Sequence, residues 1–320
     1  MHVERYTPEH EARWEEFVSR SNNGTLFHTR RFFQYHPPGR FQDHSLIFRK
    51  KGTWRAVFPA AEVREQERRL LWSHPGASYG SLVVPEALAF REALDLISRL
   101  VEYARREGFE GIRLTLPPTI YQKRLSNYID YALLRQGFTY SRREVSSILF
   151  LESTVEANLA KFKPAHRRAV KKALRSGVTV RESEEWTSFY RILQQNLWTR
   201  HNVNPTHTLD ELVHLKHLFP DRIRLFGAYL DRTLIAGVVN FICNRDVVMA
   251  FYISHDEAYA EYRPVNLLFY SIFDWAIREG FRVFDFGIFT VREEPNLGLA
   301  RFKENFGASG LFRDTLELRL

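Results

Sequence analysis

Two segments near residue 300 set an acid and a lysine among apolar residues. Phe284-Asp285-Phe286-Gly287 sets one acid in an apolar run, and a carboxylate there must be paired or must face a cleft at the strand end. Gly298-Leu299-Ala300-Arg301-Phe302-Lys303-Glu304-Asn305-Phe306-Gly307 then places Lys303 between two phenylalanines. Their rings can carry the lysine stem while its ammonium reaches the same cleft. An ammonium at that point suits the oxyanion that forms when an amine attacks an acyl carbonyl. Tyr252 and Asp285 are the candidates for relaying the proton or orienting the amine. The plainer alternative is an Asp–Lys ion pair that fixes the C-terminal unit.

A second kind of chemistry, anion binding, is concentrated in Lys161-Phe162-Lys163-Pro164-Ala165-His166-Arg167-Arg168-Ala169-Val170-Lys171-Lys172. Lys163, Arg167 and Lys171 recur at i, i+4, i+8, and Arg168, Lys172 and Arg175 at i, i+4, i+7, so two cationic rows share one helix side. The spacing predicts a phosphate-binding ridge for a nucleotide-linked substrate, CoA or tRNA, with Arg168 and Lys172 as contacts; a solvated charged face is the alternative. Further along, Leu197 to Thr208 ends one helix and enters a loop rich in hydrogen-bonding groups. Arg200 can grip phosphate or carboxylate and His201 can exchange protons near neutrality. His207 reads as a surface residue and Thr208 as the cap of a helix over 209–218. No acid stands near His201 or His207 at metal-ligand spacing, so no metal site is expected.

Other chemistries find no support. There is no Gly-x-Ser-x-Gly elbow and no Gly-rich phosphate fingerprint after a strand. Cys243 lies in an apolar strand pattern over 238–243, where a thiol is inert core; as the one cysteine of 320 residues it excludes an internal disulfide. Lys and Arg exceed Asp and Glu by 46 − 38 = 8, which favours phosphate-bearing or other anionic partners. No run approaches the roughly 18 apolar residues of a spanning helix, and the first residues carry charges where a signal peptide has its apolar core. A cytoplasmic protein is expected, with the inner face of a membrane as a further possible station.

The elements that must position these residues repeat. Tyr103-Ala104-Arg105-Arg106-Glu107-Gly108-Phe109 is answered by Trp275-Ala276-Ile277-Arg278-Glu279-Gly280-Phe281, and Gly137 before a strand by Gly307 before another. The offsets are 280 − 108 = 172 and 307 − 137 = 170 residues. Gly108 and Gly280 fall just past a helix, where a left-handed cap is cheapest. A hairpin pattern around Lys51-Gly52-Thr53 recurs around Asp231-Arg232-Thr233. The reading is an α/β (α+β) protein made of a duplicated unit: a mixed, mainly antiparallel sheet flanked by helices in each of two domains, 1–152 and 153–320, the second carrying the active cleft. Ser153 and Glu156 form a capping-box pattern that opens the second unit, and Pro164 and Gly177 delimit the basic helix at 165–176.

Phe284-Asp285-Phe286-Gly287 … Gly298-Leu299 … Phe302-Lys303 … Phe306-Gly307 resembles the C-terminal signature of the FemABX-like, or BioF2-like, branch of the GNAT acyltransferase superfamily. Asn23-Gly24-Thr25-Leu26-Phe27-His28 is similar to the N-terminal segment of that branch, and Arg167 to Ala173 with Ser176-Gly177-Val178 to the basic helix opening its second domain. The resemblance implies two tandem GNAT-like domains and transfer of an acyl or aminoacyl group to an amine. In the Fem branch the donor is aminoacyl-tRNA and the acceptor a peptidoglycan precursor, whereas relatives use acyl-CoA. It implies no tightly bound cofactor, the acyl donor being a co-substrate, and a phosphate-bearing small molecule or glycan precursor as partner, with tRNA as a further one. By similarity Lys303 is the catalytic lysine and Arg200 holds precursor phosphates. His28 and His36 fall in the N-terminal substrate-binding segment, His36 where some members have a diphosphate-binding lysine. The loop 255–266, ending in Arg263-Pro264-Val265-Asn266, lacks the Gly-rich pyrophosphate loop of ordinary GNAT enzymes, which leaves Asn266 as its candidate contact. Two other functions fit the same residues: a CoA-dependent acetyltransferase of a sugar amine in polysaccharide synthesis, and a non-catalytic module binding anionic glycan or RNA.

Overall fold

The computed structural model describes residues 1–320 except for the side chains of Arg200 and His201. The chain forms two compact units, Met1–Glu144 with Phe312–Leu320, and Val145–Leu311. In the first, β1 (His2–Arg5), α1 (Glu11–Arg20), α2 (Arg30–Phe33), β2 (Gln42–Asp43), β3 (Leu46–Lys50) and β4 (Thr53–Phe58) are followed by β5 (Ala61–Glu65), β6 (Arg68–Ser73), α3 (Phe90–Arg106), β7 (Gly111–Thr115), α4 (Tyr128–Arg135) and β8 (Thr139–Phe150). Strands β1, β3 and β4 make a small antiparallel sheet, and β2, β5, β6 and β7 belong to a second. The helix α3 buries Ala93, Leu96, Ile97, Leu100, Val101 and Ala104, a stripe at the 3.6-residue period that lets it cross over between the parallel strands β6 and β7.

The second unit continues with α5 (Val155–Lys161), α6 (Pro164–Arg175), β9 (Val178–Ser183), α7 (Trp186–His201), α8 (Leu209–Leu218), β10 (Ile223–Leu230), β11 (Thr233–Ile242) and β12 (Val247–His255). After these come α9 (Pro264–Arg278), β13 (Val283–Ile288), the two-residue strands β14 (Thr290–Val291) and β15 (Glu294–Pro295), α10 (Leu297–Glu304) and β16 (Ser309–Arg319). Its sheet runs β8-β13-β12-β11-β10-β9, antiparallel except for β12 and β13, which α9 joins as a crossover. Phe269, Phe273, Phe284, Phe286 and Phe306 fill the core between this sheet and its helices.

The repeat is visible at every expected helix end. Phe109 N–H reaches Ala104 C=O and Phe281 N–H reaches Ala276 C=O, at 3.0 and 2.9 Å, over Gly108 and Gly280 in the left-handed region. Gly137 and Gly307 close α4 and α10 in the same way, with Phe138 N–H on Leu133 C=O and Ala308 N–H on Lys303 C=O. These are Schellman closures, which satisfy carbonyls the helix cannot.

Three details differ from expectation. The domain ends lie elsewhere than 152/153, because β8 begins in one unit and ends in the other and residues 312–320 return to the first, where β16 pairs with β7. The cap of α5 is Thr154, whose hydroxyl takes Ala157 N–H at 3.2 Å, rather than Ser153. His207 is buried, not on the surface. Thr208 does cap α8, in a capping box with Glu211.

Gly280 has φ +85° and nothing within 4 Å of where a Cβ would stand, so its substitution is opposed by conformation alone. Gly280→Ala is expected to lower stability in urea unfolding by about 1 kcal/mol. Gly298→Ala, inside α10 with ordinary backbone angles, is expected to leave it unchanged or slightly raised.

Candidate functional site

The parallel ladder of β12 and β13 covers only Val247–Met249 against Val283–Asp285. Beyond it β12 continues to His255, while β13 keeps to β8 across a register shift between Asp285 and Ile288. Next to the end of β12 lies a cleft of about 690 Å³, lined by Ile253, Ser254 and His255, by Leu193, Asn196 and Leu197 of α7, by the start of α9, and by Leu299, Phe302 and Phe306. Asn196 ties its wall together, since Nδ2 donates to Ser254 Oγ (2.7 Å) and to the His255 carbonyl (2.6 Å). The lining is mainly apolar with a few convergent polar groups, the usual character of a ligand site.

A second cavity, about 380 Å³, adjoins this cleft through shared walls: His166, Arg263 and Asn266 line both. Its remaining walls include Arg168, Lys172 and Arg175 of α6, the row read from the sequence. Pro164 starts α6 where its missing N–H is harmless, and Val170 and Ala173 are buried on the opposite side, which turns the cations outward. Arg263 has φ +57°, a strained value for a residue with a Cβ, of the kind that clusters at functional sites. It delivers the chain into Pro264, the first residue of α9. Asn266 Nδ2 donates to His166 Nδ1 at 2.8 Å, which leaves the imidazole proton on Nε2 as a donor. Burial first, then Arg263 and Lys163, holds the His166 pKa below its usual value, so the ring is neutral near pH 7. Six cationic or hydrogen-donating side chains therefore face one cavity at the positive end of α9.

The residues proposed for catalysis do not line the cleft. Asp285 is fully buried; its Oδ1 accepts Ser146 Oγ–H and Gly287 N–H, each at 2.7 Å. Lys303, also buried, donates Nζ–H to the carbonyls of Gly287 (2.6 Å) and Ile288 (2.7 Å). Acid and lysine thus grip the same turn of β13 from its donor and its acceptor side. Phe251 is the extra residue of a bulge in β12, where Val239 faces Tyr252 and Asn240 faces Ala250. There the Tyr252 hydroxyl accepts His207 N–H (3.2 Å) and lies 2.9 Å from His207 Nδ1. Burial pushes the Tyr252 pKa up to about 12, which unsuits it to exchange a proton near neutrality. Among the described residues, the titratable side chains that do line the cleft are His166, His255 and Arg263. His255 Nε2 stands 3.6 Å from Glu257 Oε2, an ion-pair distance rather than a hydrogen bond. Residue type alone does not single out His166, His255 or Arg263 within the segments 161–172 and 255–266, nor Asn196, which precedes the segment 197–208.

In the first unit His28 is wholly buried: Nδ1 lies against Thr25 N–H and Oγ1, and Nε2 against the Gly80 carbonyl at 2.8 Å. It closes a turn rather than meeting a ligand. His36 lines a separate cavity of about 230 Å³ with Arg30, Phe33, Phe41 and His74. Arg200 and His201 lie outside the described residues.

Residues 160–304 match the acetyltransferase (GNAT) domain family. The match contains every lining residue of both cavities except Phe306. The whole chain is similar in fold to FemX, with a TM-score of 0.77 and 13% identity over 100% of this chain and 98% of that one. It is also similar to L-PGS from Bacillus licheniformis (TM-score 0.61, 12% identity, 99% and 93% covered). A tandem GNAT protein from the clavulanic acid biosynthesis pathway gives a TM-score of 0.57 at 10% identity, with 99% and 98% covered. The fold is therefore that of two GNAT-like units in tandem. No curated protein matches the chain by sequence.

Two measurements probe these placements. Burial lowers the His28 pKa from 6.5 to about 4, so between those values the unfolded chain binds the extra proton. Stability is then complete above pH 6.5 and falls as the pH drops towards 4, by about 3 kcal/mol from this group; in His28→Gln that part of the slope should vanish from pH-dependent unfolding. Lys303→Met leaves two buried carbonyls without their donor and should lower stability by about 3 kcal/mol in denaturant titration.

Proposed function

We propose that the protein is an N-acyltransferase whose second unit binds a phosphate-bearing acyl donor. The observation that carries this is the pair of adjoining cavities sharing His166, Arg263 and Asn266. A donor with an anionic group on α6 and a neutral arm in the apolar cleft would use both. Acyl-CoA and the aminoacylated end of tRNA have this form. The acceptor is an amine of a cell-wall or nucleotide-linked saccharide precursor, a reading that rests on the FemABX-like resemblance, and the setting is cytoplasmic.

In the reaction the amine nitrogen attacks the acyl carbonyl carbon. The C–N bond forms, the ester C–O or thioester C–S bond breaks, and the amine gives up a proton. His255, whose Nε2 stands 3.6 Å from Glu257 Oε2, takes that proton in this reading. The donors around His166 hold the anion, and juxtaposition of the two substrates supplies much of the acceleration. Lys303 and Asp285 act as positioning residues that hold the turn of β13 beside the cleft.

Coenzyme A and an aminoacyl-tRNA are to be compared as ligands by thermal shift, since a ligand of the folded state stabilises it by about 3 kcal/mol at a hundredfold excess over Kd. One of the two should raise the melting temperature, and Arg168→Ala with Lys172→Ala should weaken that ligand roughly tenfold. RNA affinity without any acyl transfer would instead favour a binding module. With the donor known, His255→Gln should lower kcat roughly 100-fold with donor affinity unchanged.

A further inference from the structure

Most exposed apolar side chains of a protein stand singly and need no explanation, whereas a contiguous group calls for a partner. In the first unit Tyr128, Tyr131 and Leu134 stand exposed on the outer face of α4, Leu125 is 75% exposed in the loop before it, and Phe90 is exposed at the start of α3. The Phe90 ring lies 5.2 Å from that of Tyr128 and 5.4 Å from that of Tyr131, so these residues form one patch.

Its charges are as distinctive as its apolar groups. Arg91 follows Phe90, Arg124 precedes Leu125 and Arg135 follows Leu134, and among the described residues none of the three meets a carboxylate. Elsewhere in the same unit Arg55, Arg99 and Arg113 are paired with Glu92, Glu102 and Glu65 at 2.6 to 2.8 Å. The acid of α4, Asp130, lines an inner cavity with Ile129 and Pro85, and burial raises its pKa. Glu86 is the exposed acid of this stretch, so the patch is net positive.

We propose that this face, made by α4, the loop before it and the start of α3, docks the protein on an anionic phospholipid surface. Tyrosine and phenylalanine rings suit the headgroup level of a bilayer, the leucines enter its apolar edge, and unpaired arginines are drawn to anionic headgroups. Single-stranded RNA also attracts aromatic and cationic side chains, but it gains nothing from aliphatic leucines, which do not stack on bases. Acyl transfer is not a premise of this inference.

The test is flotation of the full chain with vesicles of phosphatidylcholine, alone and mixed with phosphatidylglycerol. Binding is expected only with phosphatidylglycerol and should weaken as salt rises. Leu125→Ser with Tyr131→Ser should reduce partitioning roughly tenfold, and Arg124→Glu with Arg135→Glu should remove it. Both pairs are exposed, so circular dichroism and melting should stay as in the parent, and Arg168→Ala with Lys172→Ala should bind vesicles like the parent. Failure of the parent to float with anionic vesicles, or undiminished floating of the patch variants, would overturn the proposal. So would tighter binding to an oligouridine lost in the same variants, or a dimer in sedimentation that these variants dissolve.

Discussion

A carboxylate cannot be buried bare, and the second unit is organised around how Asp285 avoids it. Its oxygen takes the N–H of Gly287 two residues on, which bends β13 just where its ladder with β12 ends. The bend turns two carbonyls towards α10, and Lys303 answers them with one ammonium. Each group satisfies polar atoms that the other leaves exposed, so removing either one strands the remainder. Phe302 and Phe306, which flank that lysine, are thereby set as one wall of the apolar cleft.

The duplicated unit offers an internal control. With the offset of 280 − 108 = 172, Asp285 corresponds to Arg113; with 307 − 137 = 170, Lys303 corresponds to Leu133. The parallel ladders agree with this alignment, starting at Val283 in one unit and at Gly111 in the other. Arg113 is paired with Glu65 and Glu317 and Leu133 is plain core. The first unit keeps the scaffold and its Schellman closures but has neither the acid nor the lysine that bends β13. Within a shared frame, the two units thus differ at the two residues that hold the turn of β13.

Local features were the legible ones. The glycines past α3, α6 and α9, the proline that starts α6 and the Thr208 cap of α8 all follow from backbone preferences that act over a few residues. The cationic row of α6 was equally visible, since helical spacing alone puts Arg168, Lys172 and Arg175 together. Side-chain direction was harder to read. Lys303 and Asp285 stand out by residue type as facing one cleft, yet nothing in the sequence signals that both turn inward onto the turn at Gly287. Asn266 meets His166 from a distance of 266 − 166 = 100 residues, and β16 returns to β7 across the whole second unit. Such non-local partners are chosen by packing. His207 illustrates the same point, being buried because Tyr252, across a bulge in another strand, supplies its hydrogen bond.

In the proposed reading the donor spans α6 and the start of α9 and runs into the cleft beside β12. Hydrogen exchange of the full chain with and without coenzyme A or an aminoacyl-tRNA reads this directly. Whichever donor binds is expected to slow exchange in peptides covering residues 163–176 and 253–268, with the first unit unchanged. Protection confined to the first unit, or spread evenly over the surface basic residues, would contradict it.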